Sequence, residues 1–333
     1  MGIEPFIISG QYKALILTVP GKCSIEQRES ASIADGSVII EVEYSGINYK
    51  DALAITGTGK IVRAPFPFVP GIDLAGIVLR SELDGYAPGD RVVLTGGGLG
   101  ESYSGGYSQL QSVTPEYLLK LPEGMSTRTS MILGTAGLTA MLSVMSLEDH
   151  RIMNGEILVT GASGGVGMIA VKLLAGLGYT VIASCDSSHL WHKISGLGAS
   201  RTIGRIKASR PLEHALYDGV IDAAGGKVLA AALAKVRRHG CIAASGNAAG
   251  TELTTTVYPF ILRGITLAGI DSNTASMQDR LTAWRRLHAL IPEHEVDQLS
   301  MGTVGLEDIE SVCRAKMQGK APGRFLVDLN SKG

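Results

Sequence analysis

Ile157-Leu158-Val159-Thr160-Gly161-Ala162-Ser163-Gly164-Gly165-Val166-Gly167 is the stretch that decides the fold. Four residues suited to a short buried strand run straight into a glycine-rich turn, and an apolar helical stretch from Val166 to Leu177 follows. The spacing G-x-x-G-x-x-G is a variant of the dinucleotide fingerprint. Glycine permits the tight turn and lets the backbone approach a pyrophosphate, which then rests on the N–H groups of the helix N-terminus. Glycines alone would read as an ordinary turn; the strand before and the helix after select the nucleotide reading. The candidate cofactor contacts here are Gly161, Ala162, Ser163, Gly164, Gly165, Val166 and Gly167.

Outward from this loop the chain keeps one rhythm. Thr180 to Ser184, Gly219 to Asp222, Cys241 to Ser245 and Ile265 to Ile270 read as strands. Ser188 to Leu197 and Val228 to Val236 read as helices between them, and Met131 to Ser146 as a helix ahead of them. Strands alternating with helices of this length predict a Rossmann-type, doubly wound parallel sheet, an α/β fold. Before Leu121 the texture is different: Ala14 to Thr18, Val38 to Tyr44, Leu74 to Val78 and Arg91 to Leu94 are β-rich runs. Turn signals at Asp35-Gly36 and Pro88-Gly89-Asp90 separate them, which predicts a β-rich barrel or sandwich. Arg280 to Leu290 and Leu306 to Met317 read as helices, and Arg324 to Leu329 as a closing strand. The expected division is a β-rich domain over 1–130, a nucleotide domain over 131–271, and a return segment over 272–333 that completes the first.

Composition narrows the partners. Hydrophobic residues make up 45% and charged residues 18% of the 333, so a well-filled core is expected rather than disorder. The net charge of −1 gives no global field for nucleic acid or an anionic membrane, and 2 Trp, 10 Tyr and 5 Phe are too few for a base-stacking surface. Cys23, Cys185, Cys241 and Cys313 show no paired spacing, which fits a reducing, cytoplasmic setting. Glu4 and the lack of a long apolar run near the start argue against a cleaved leader, and no stretch reads as a membrane span. His150, His189, His214, His239, His288 and His294 have no metal-ligand spacing and read as surface residues.

Cofactor choice is open at this level. Asp186 stands nineteen residues past Gly167, where an acid would hold the ribose hydroxyls of NAD(H) and repel a 2′-phosphate. Ser187, Ser188, His192 and Lys193 beside it offer donors to the 2′-phosphate of NADP(H). Asp222-Ala223 and Ser245-Gly246 follow later strands, and Asp271 follows the last, at the carboxyl ends where such sheets bind ligands. Thr135 and Thr139, early in the helix entering the nucleotide domain, either bond the nicotinamide amide or back-bond their own helix.

Longer motifs then appear in order: GINYKDALAITG (Gly46 to Gly57), PGIDLAG (Pro70 to Gly76), GDRVVLTG (Gly89 to Gly96), GTAGLTAM (Gly134 to Met141) and VYPFILRGITLAGIDS (Val257 to Ser272). With GASGGVG they resemble the medium-chain dehydrogenase/reductase superfamily, its zinc-independent quinone-oxidoreductase branch, and within it the acrylyl-CoA reductase family. The resemblance covers nearly the whole chain. It implies a GroES-like catalytic domain split around the Rossmann domain, with the active site in the cleft. It further implies a homodimer joined through the edge strand Ile265 to Ile270, and NADP(H) as the favoured cofactor, with NAD(H) kept open by Asp186.

The resemblance also implies the catalytic set. Asn48, Asp51, Asp73 and Arg324 match the family's cavity residues. Asn48 and Arg324 are expected to bind a carbonyl or thioester, with Asp51 and Asp73 orienting them. Tyr49 either donates a proton to the α-carbon or simply packs. Zinc-dependent relatives place ligands where this chain has Asn48, Ile72 and the neighbourhood of Ile132; isoleucine supplies no donor, so no metal is expected. Lys60, Arg63, Arg263 and Lys320 are candidate cations for the phosphates of an acyl-CoA, whereas Lys50 reads as a surface pair. Three functional readings follow: a reductase of short α,β-unsaturated acyl-CoA thioesters, a quinone or general enone reductase, and a nucleotide-binding protein with little turnover.

Overall fold

A computed structural model describes residues 10–30 and 37–331. The turn at Asp35-Gly36 and the opening segment around Glu4 lie outside the described residues. The chain divides into two compact units, one running to Thr135 and resuming at Ser300, the other Ala136–Leu299.

The first unit is β-rich because its apolar residues come in short alternating runs cut by glycine and proline turns. Strands β1 (Gln11–Val19) and β2 (Lys22–Glu29) form an antiparallel hairpin. Then come β3 (Val38–Ile47), helix α1 (Tyr49–Thr56), β4 (Asp73–Ser81), β5 (Arg91–Thr95), β6 (Leu110–Val113) and β7 (Leu119–Lys120). Helix α1 ends where Gly57 takes φ +69°, the left-handed C-cap that glycine adopts without a Cβ penalty.

Helix α2 (Thr127–Asp149) leads out of this unit and is broken at Gly134, whose φ of 51° and ψ of −152° are not helical. Its length and hydropathy would suit a membrane span, yet 83% of its apolar window is buried inside the fold, as in a core helix.

The second unit follows the predicted rhythm: β8 (Glu156–Thr160), α3 (Gly165–Gly176), β9 (Thr180–Ser184), α4 (Trp191–Gly196), β10 (Arg201–Ile203), β11 (Tyr217–Asp222), α5 (Gly226–Leu233), β12 (Val236–Ala244), α6 (Tyr258–Arg263) and β13 (Thr266–Gly269). The sheet order is β10-β9-β8-β11-β12-β13, every neighbouring pair parallel. Numbered within the unit this is 3-2-1-4-5-6, the doubly wound order that reverses between β8 and β11. All but the first residue of β8 are buried, as expected of a central parallel strand covered on both faces.

The return segment is shorter than the sequence suggests. Helix α7 (Met277–Leu290) and the turns of Glu293–Leu299 stay with the nucleotide unit, so 272–299 do not complete the first domain. Their attachments explain it. Trp284 and Leu287 are buried, Arg286 donates to both Glu148 oxygens at 2.5 and 2.7 Å, and Lys172 pairs with Glu295. The first unit resumes with β14 (Ser300–Val304), α8 (Ile309–Met317) and β15 (Arg324–Asp328). Its main sheet runs β14-β15-β3-β4-β5-β7, with β6 also pairing β3. Leu15, Ile40, Ile55, Leu74 and Tyr107 lie in its core.

Candidate active site and nucleotide loop

In the first unit, four chain segments meet at one buried polar knot. Asn48 closes β3 and caps α1, and Asp51 three residues on reaches back, its Oδ2 accepting the Asn48 N–H at 2.8 Å. Its other oxygen accepts the Ile72 N–H at 3.0 Å, so one carboxylate fixes both the Asn48 turn and the start of β4. Asp73, the first residue of β4, is fully buried. Its carboxylate accepts from the Asn48 amide nitrogen at 2.8 Å, the Thr135 hydroxyl at 2.6 Å, the Thr135 N–H at 3.1 Å and Arg324 Nη2 at 3.3 Å.

Arg324 opens β15 with 1% of its surface exposed. Its guanidinium donates to the carbonyls of Ile132 at 3.1 Å and Met131 at 2.8 Å, and to Asn48 Oδ1. A buried guanidinium must find partners for its fork of donors, and this one places four of its five N–H groups on three segments at once. Room for it comes from glycine. A Cβ on Gly46 or on Gly134 would stand 2.3 Å from Arg324 Nη2. Upstream, Lys316 donates to the carbonyls of Ala321 at 3.1 Å and Gly323 at 2.9 Å, fastening the turn that delivers Arg324. Burial lowers the Lys316 amine to about 8.

The electrostatics of the knot are unequal. Burial, and then the neighbouring Asp73 charge, raise the Asp51 carboxyl to about 7, against hydrogen bonds from Asn48 and Ile72 that favour its ionised form. Tyr107 donates its hydroxyl to the Gly46 carbonyl at 3.2 Å, and burial pushes its phenol well above the ordinary value.

Asn48, Asp51, Asp73 and Arg324 are therefore brought together, as expected, but two roles change. Arg324 stands here as an orienting group: four of its five N–H donors are bonded inside the knot and its surface is covered. Thr135, expected beside the nicotinamide, gives both its N–H and its hydroxyl to Asp73 and belongs to the knot. Asn48 and Thr135 are its partly exposed members, and Tyr49 beside them is 40% exposed. Lys50 pairs at 2.6 Å with buried Glu101, in keeping with its reading as a pair. Arg263 is no phosphate-facing cation, since its guanidinium donates to the carbonyls of Ala234, Val236 and Glu213. Lys60, Arg63 and Lys320 are exposed.

The positions where relatives hold zinc do not fit a metal here. Asn48 is engaged with Asp73 and Arg324, and Ile72 and Ile132 are buried apolar side chains. The Ile132 carbonyl is taken by the guanidinium, a cation already fixed among these residues.

In the second unit the fingerprint has the form a nucleotide needs. Gly161 takes φ +60°, the Gly164 N–H closes a turn on its carbonyl at 2.9 Å, and Gly164 caps α3. A Cβ on Gly167 would stand 2.3 Å from the Gly161 oxygen, so only glycine lets the helix pack so close to the loop. The loop is tied to β9, the Ala162 N–H donating to the Ser184 carbonyl at 3.1 Å. The Ser163 hydroxyl reaches the Cys185 thiol, whose pKa burial raises.

Asp222 is fully buried and its carboxylate is turned inward, accepting from Thr160 Oγ1 at 2.5 Å and the Gly225 N–H at 2.9 Å; burial raises its pKa. It shapes the Ala223 turn rather than facing a ligand. Gly246 presses against that turn, a Cβ there falling 2.1 Å from the Ala223 oxygen. Ala244, Ser245, Gly246, Gly269, Ile270 and Asp271 line an open, shallow depression at the carboxyl ends of β12 and β13. Thr139 bonds Ser272 at 2.7 Å and is 5% exposed, and Asp271 holds the turn at Asn273 and Thr274. Ser187 and Ser188 continue from Asp186, the Ser188 N–H donating to its carbonyl at 3.0 Å. The side chain that sequence reasoning passed over is Arg205, which forms an ion pair with Asp186.

A β-rich unit with a buried polar knot and a doubly wound unit with a glycine loop, carried on one chain, define the class of two-part nucleotide-dependent oxidoreductases. Residues 34–123 match the alcohol dehydrogenase GroES-like domain family and residues 165–289 the zinc-binding dehydrogenase family. The chain is 45% identical over 311 residues to a probable acrylyl-CoA reductase, AcuI, of Escherichia coli, covering 92% of this chain and 95% of that one. It is 41% identical over 298 residues to a putative quinone oxidoreductase, YhfP, of Bacillus subtilis, covering 88% and 90%. The crystal structure of that YhfP with NAD bound superposes with a TM-score of 0.92 at 38% identity, over 96% of this chain and all of the other. The yhdH oxidoreductase of Salmonella enterica in complex with NADP gives 0.92 at 44% identity, with the same coverage. The chain belongs to the medium-chain dehydrogenase/reductase superfamily, in the quinone-oxidoreductase branch that includes the acrylyl-CoA reductases.

Proposed function

We propose that this protein reduces the C=C bond of short α,β-unsaturated acyl-CoA thioesters, acrylyl-CoA to propionyl-CoA, with NADPH or NADH and without zinc. The observation that carries the reading is the Asn48–Asp73–Arg324 knot, a polar cluster that the apolar Ile72 and Ile132 leave without metal ligands, in a chain 45% identical to a probable acrylyl-CoA reductase.

The Gly161 to Gly167 loop and the first turn of α3 hold the pyrophosphate on backbone N–H groups, and the Ala223 and Gly246 turns admit the nicotinamide end. When bound, the reduced nicotinamide supplies a hydride for the β-carbon. Negative charge then develops on the thioester oxygen as an enolate, and Asn48 answers it. An amide nitrogen carries two N–H donors. Asp73 takes one, and this reading gives the other to the substrate oxygen. Asp73 and Arg324 grip the two ends of the Asn48 amide and fix its orientation before the charge appears, so no reorganisation is needed at that moment. Asp51 holds the turn that carries it. The α-carbon takes its proton from Tyr49, which stands beside Asn48, or from solvent.

Lys60 and Arg63 are the cations this reading assigns to the CoA phosphates. The chain pairs with a second copy along β13, a sheet edge directly preceded by exposed Val257, Tyr258, Ile261 and Leu262. Its four free thiols suit the cytoplasm. The second reading, reduction of quinones or enones, is favoured by the likeness to YhfP and needs the same donor at a carbonyl oxygen. Reduced-nicotinamide absorbance followed with acrylyl-CoA, crotonyl-CoA and a benzoquinone side by side tests both. Oxidation with the thioesters at a kcat/KM at least tenfold above the quinone supports the first reading. The opposite order moves it to the second, and no oxidation with any acceptor leaves a nucleotide-binding protein.

A further inference from the structure

Strands β9 and β10 pair in parallel with Ile203 opposite Ser184, and the pairing continues past their ends. The Cys185 N–H donates to the Ile203 carbonyl at 3.0 Å, and Ser184 Oγ to the Gly204 carbonyl at 3.1 Å. This register sets Asp186 beside Arg205, and their side chains form an ion pair in which each is about half exposed, 51% and 55%. The fingerprint loop reaches the same corner, through Ala162 on Ser184 and Ser163 on Cys185. A carboxylate and a guanidinium thus share the place where the adenine ribose of a dinucleotide bound to this loop would arrive.

We propose that Asp186 and Arg205 act together as a two-way reader of the ribose 2′ position, so that the chain accepts both NADP(H) and NAD(H). The inference rests on the reading of Gly161 to Gly167 as the dinucleotide site. An unpaired acid would accept from the ribose hydroxyls and repel a phosphate. An unpaired arginine would take the phosphate bidentately. Paired, each cancels the other's selectivity. An exposed pair of this kind is weakly held, so it opens at little cost toward whichever group arrives. With a 2′-phosphate, Arg205 swings to the anion and offsets the repulsion from Asp186. With a 2′-hydroxyl, Asp186 accepts from the sugar and stays partly neutralised by Arg205. Sequence spacing alone shows the acid and misses its partner, which lies on a neighbouring strand's loop.

The test is calorimetric binding of two cofactor fragments, 2′,5′-ADP and 5′-AMP, to the full chain and to R205A and D186N, with unchanged melting temperatures confirming that both variants fold. The expected result is wild-type affinities within about tenfold of each other. R205A should lose at least tenfold in 2′,5′-ADP affinity while keeping 5′-AMP, and D186N should shift the ratio at least threefold toward 2′,5′-ADP. The NADPH/NADH ratio of kcat/KM should move in the same directions. Wild-type 5′-AMP binding with a ratio that neither variant moves would overturn the inference and leave the nucleotide loop standing. Failure of wild type to bind either fragment would overturn the loop reading, and this inference with it.

Discussion

The guanidinium of Arg324 fits against Gly134 so closely that a β-carbon on the glycine would stand 2.3 Å from Nη2 and 2.4 Å from Asp73 Oδ2. The same glycine has φ +51° and breaks helix α2. One residue therefore supplies both the left-handed bend and the clearance through which a cation 190 positions later reaches the carbonyls of Met131 and Ile132. Replacing it tests whether the knot is built from the backbone outward. G134A is expected to destabilise the fold on the order of 3–5 kcal/mol, combining backbone strain with displacement of a buried charge. Denaturant unfolding reads this out, and a loss under 1 kcal/mol would mean that the guanidinium has room to move.

Asn48 and Arg324 touch the same bond yet should fail differently. N48A removes the group assigned to the substrate oxygen and leaves Arg324 paired with Asp73. A fall of about a hundredfold in kcat/KM, roughly 3 kcal/mol, is expected with a smaller stability loss, on the order of 1–2 kcal/mol, from the lost cap and the lost bonds to Asp73 and Arg324. R324A strands a fully buried Asp73 carboxylate and should lose about 3–5 kcal/mol of stability as well as activity. R324K should rescue only part of this, because an ammonium cannot span three segments as a planar fork does. Equal stability losses in N48A and R324A would remove the distinction between the donor and its positioning residue.

The parallel sheet was legible because its signal is local: β9 spans Thr180–Ser184 as predicted, and the glycine loop sits between β8 and α3. The short strands β6, β7, β10 and β14 were not, since each is only two to five residues long, carries little periodicity of its own and is fixed by its pairing with another strand. The same distinction separates the site residues. Asn48, Asp51, Asp73 and Arg324 stand in recognisable motifs, but Arg324's covered, orienting role depends on carbonyls from α2 and on two glycines. Thr135 was assigned to the cofactor because it lies on the helix entering the nucleotide domain. Only the break at Gly134, visible in sequence as a glycine within an apolar helical run, hints that its N–H points elsewhere. Arg205 has no motif at all.

The Asp51 carboxyl gives a stability signature with a definite sign. Its pKa rises from 3.8 to about 7 on folding, so between these values the native state holds a proton that the unfolded chain has released. Stability then falls as pH rises through this window, fully present below about 4 and spent above about 7. The upper bound is about 4 kcal/mol. D51N cannot titrate there. The difference in unfolding free energy between wild type and D51N, taken at pH 5, 6, 7 and 8, should shift in favour of the variant up to about pH 7 and then level off. A difference independent of pH would mean that Asp51 stays ionised in the folded protein and that its hydrogen bonds from Asn48 and Ile72 outweigh burial.

Gly167 and Gly176 lie on one helix and separate nucleotide binding from helix propensity. A Cβ on Gly167 would stand 2.3 Å from the Gly161 oxygen and 2.6 Å from the Ala162 Cα, both backbone atoms of the loop, which cannot give way without opening the turn. A Cβ on Gly176 meets nothing within 4 Å. Alanine at Gly176 should be neutral or stabilise by up to about 1 kcal/mol, the ordinary gain of replacing a helical glycine, with nucleotide affinity kept. Alanine at Gly167 should weaken nucleotide binding at least tenfold, because the N–H groups that would cradle the pyrophosphate belong to the turn it forces apart. Calorimetric titration of both variants with NADPH and NADH decides the point. If G167A bound both nucleotides as wild type does, the close approach of α3 to the loop would be a packing feature only, and the pyrophosphate would have to be held elsewhere.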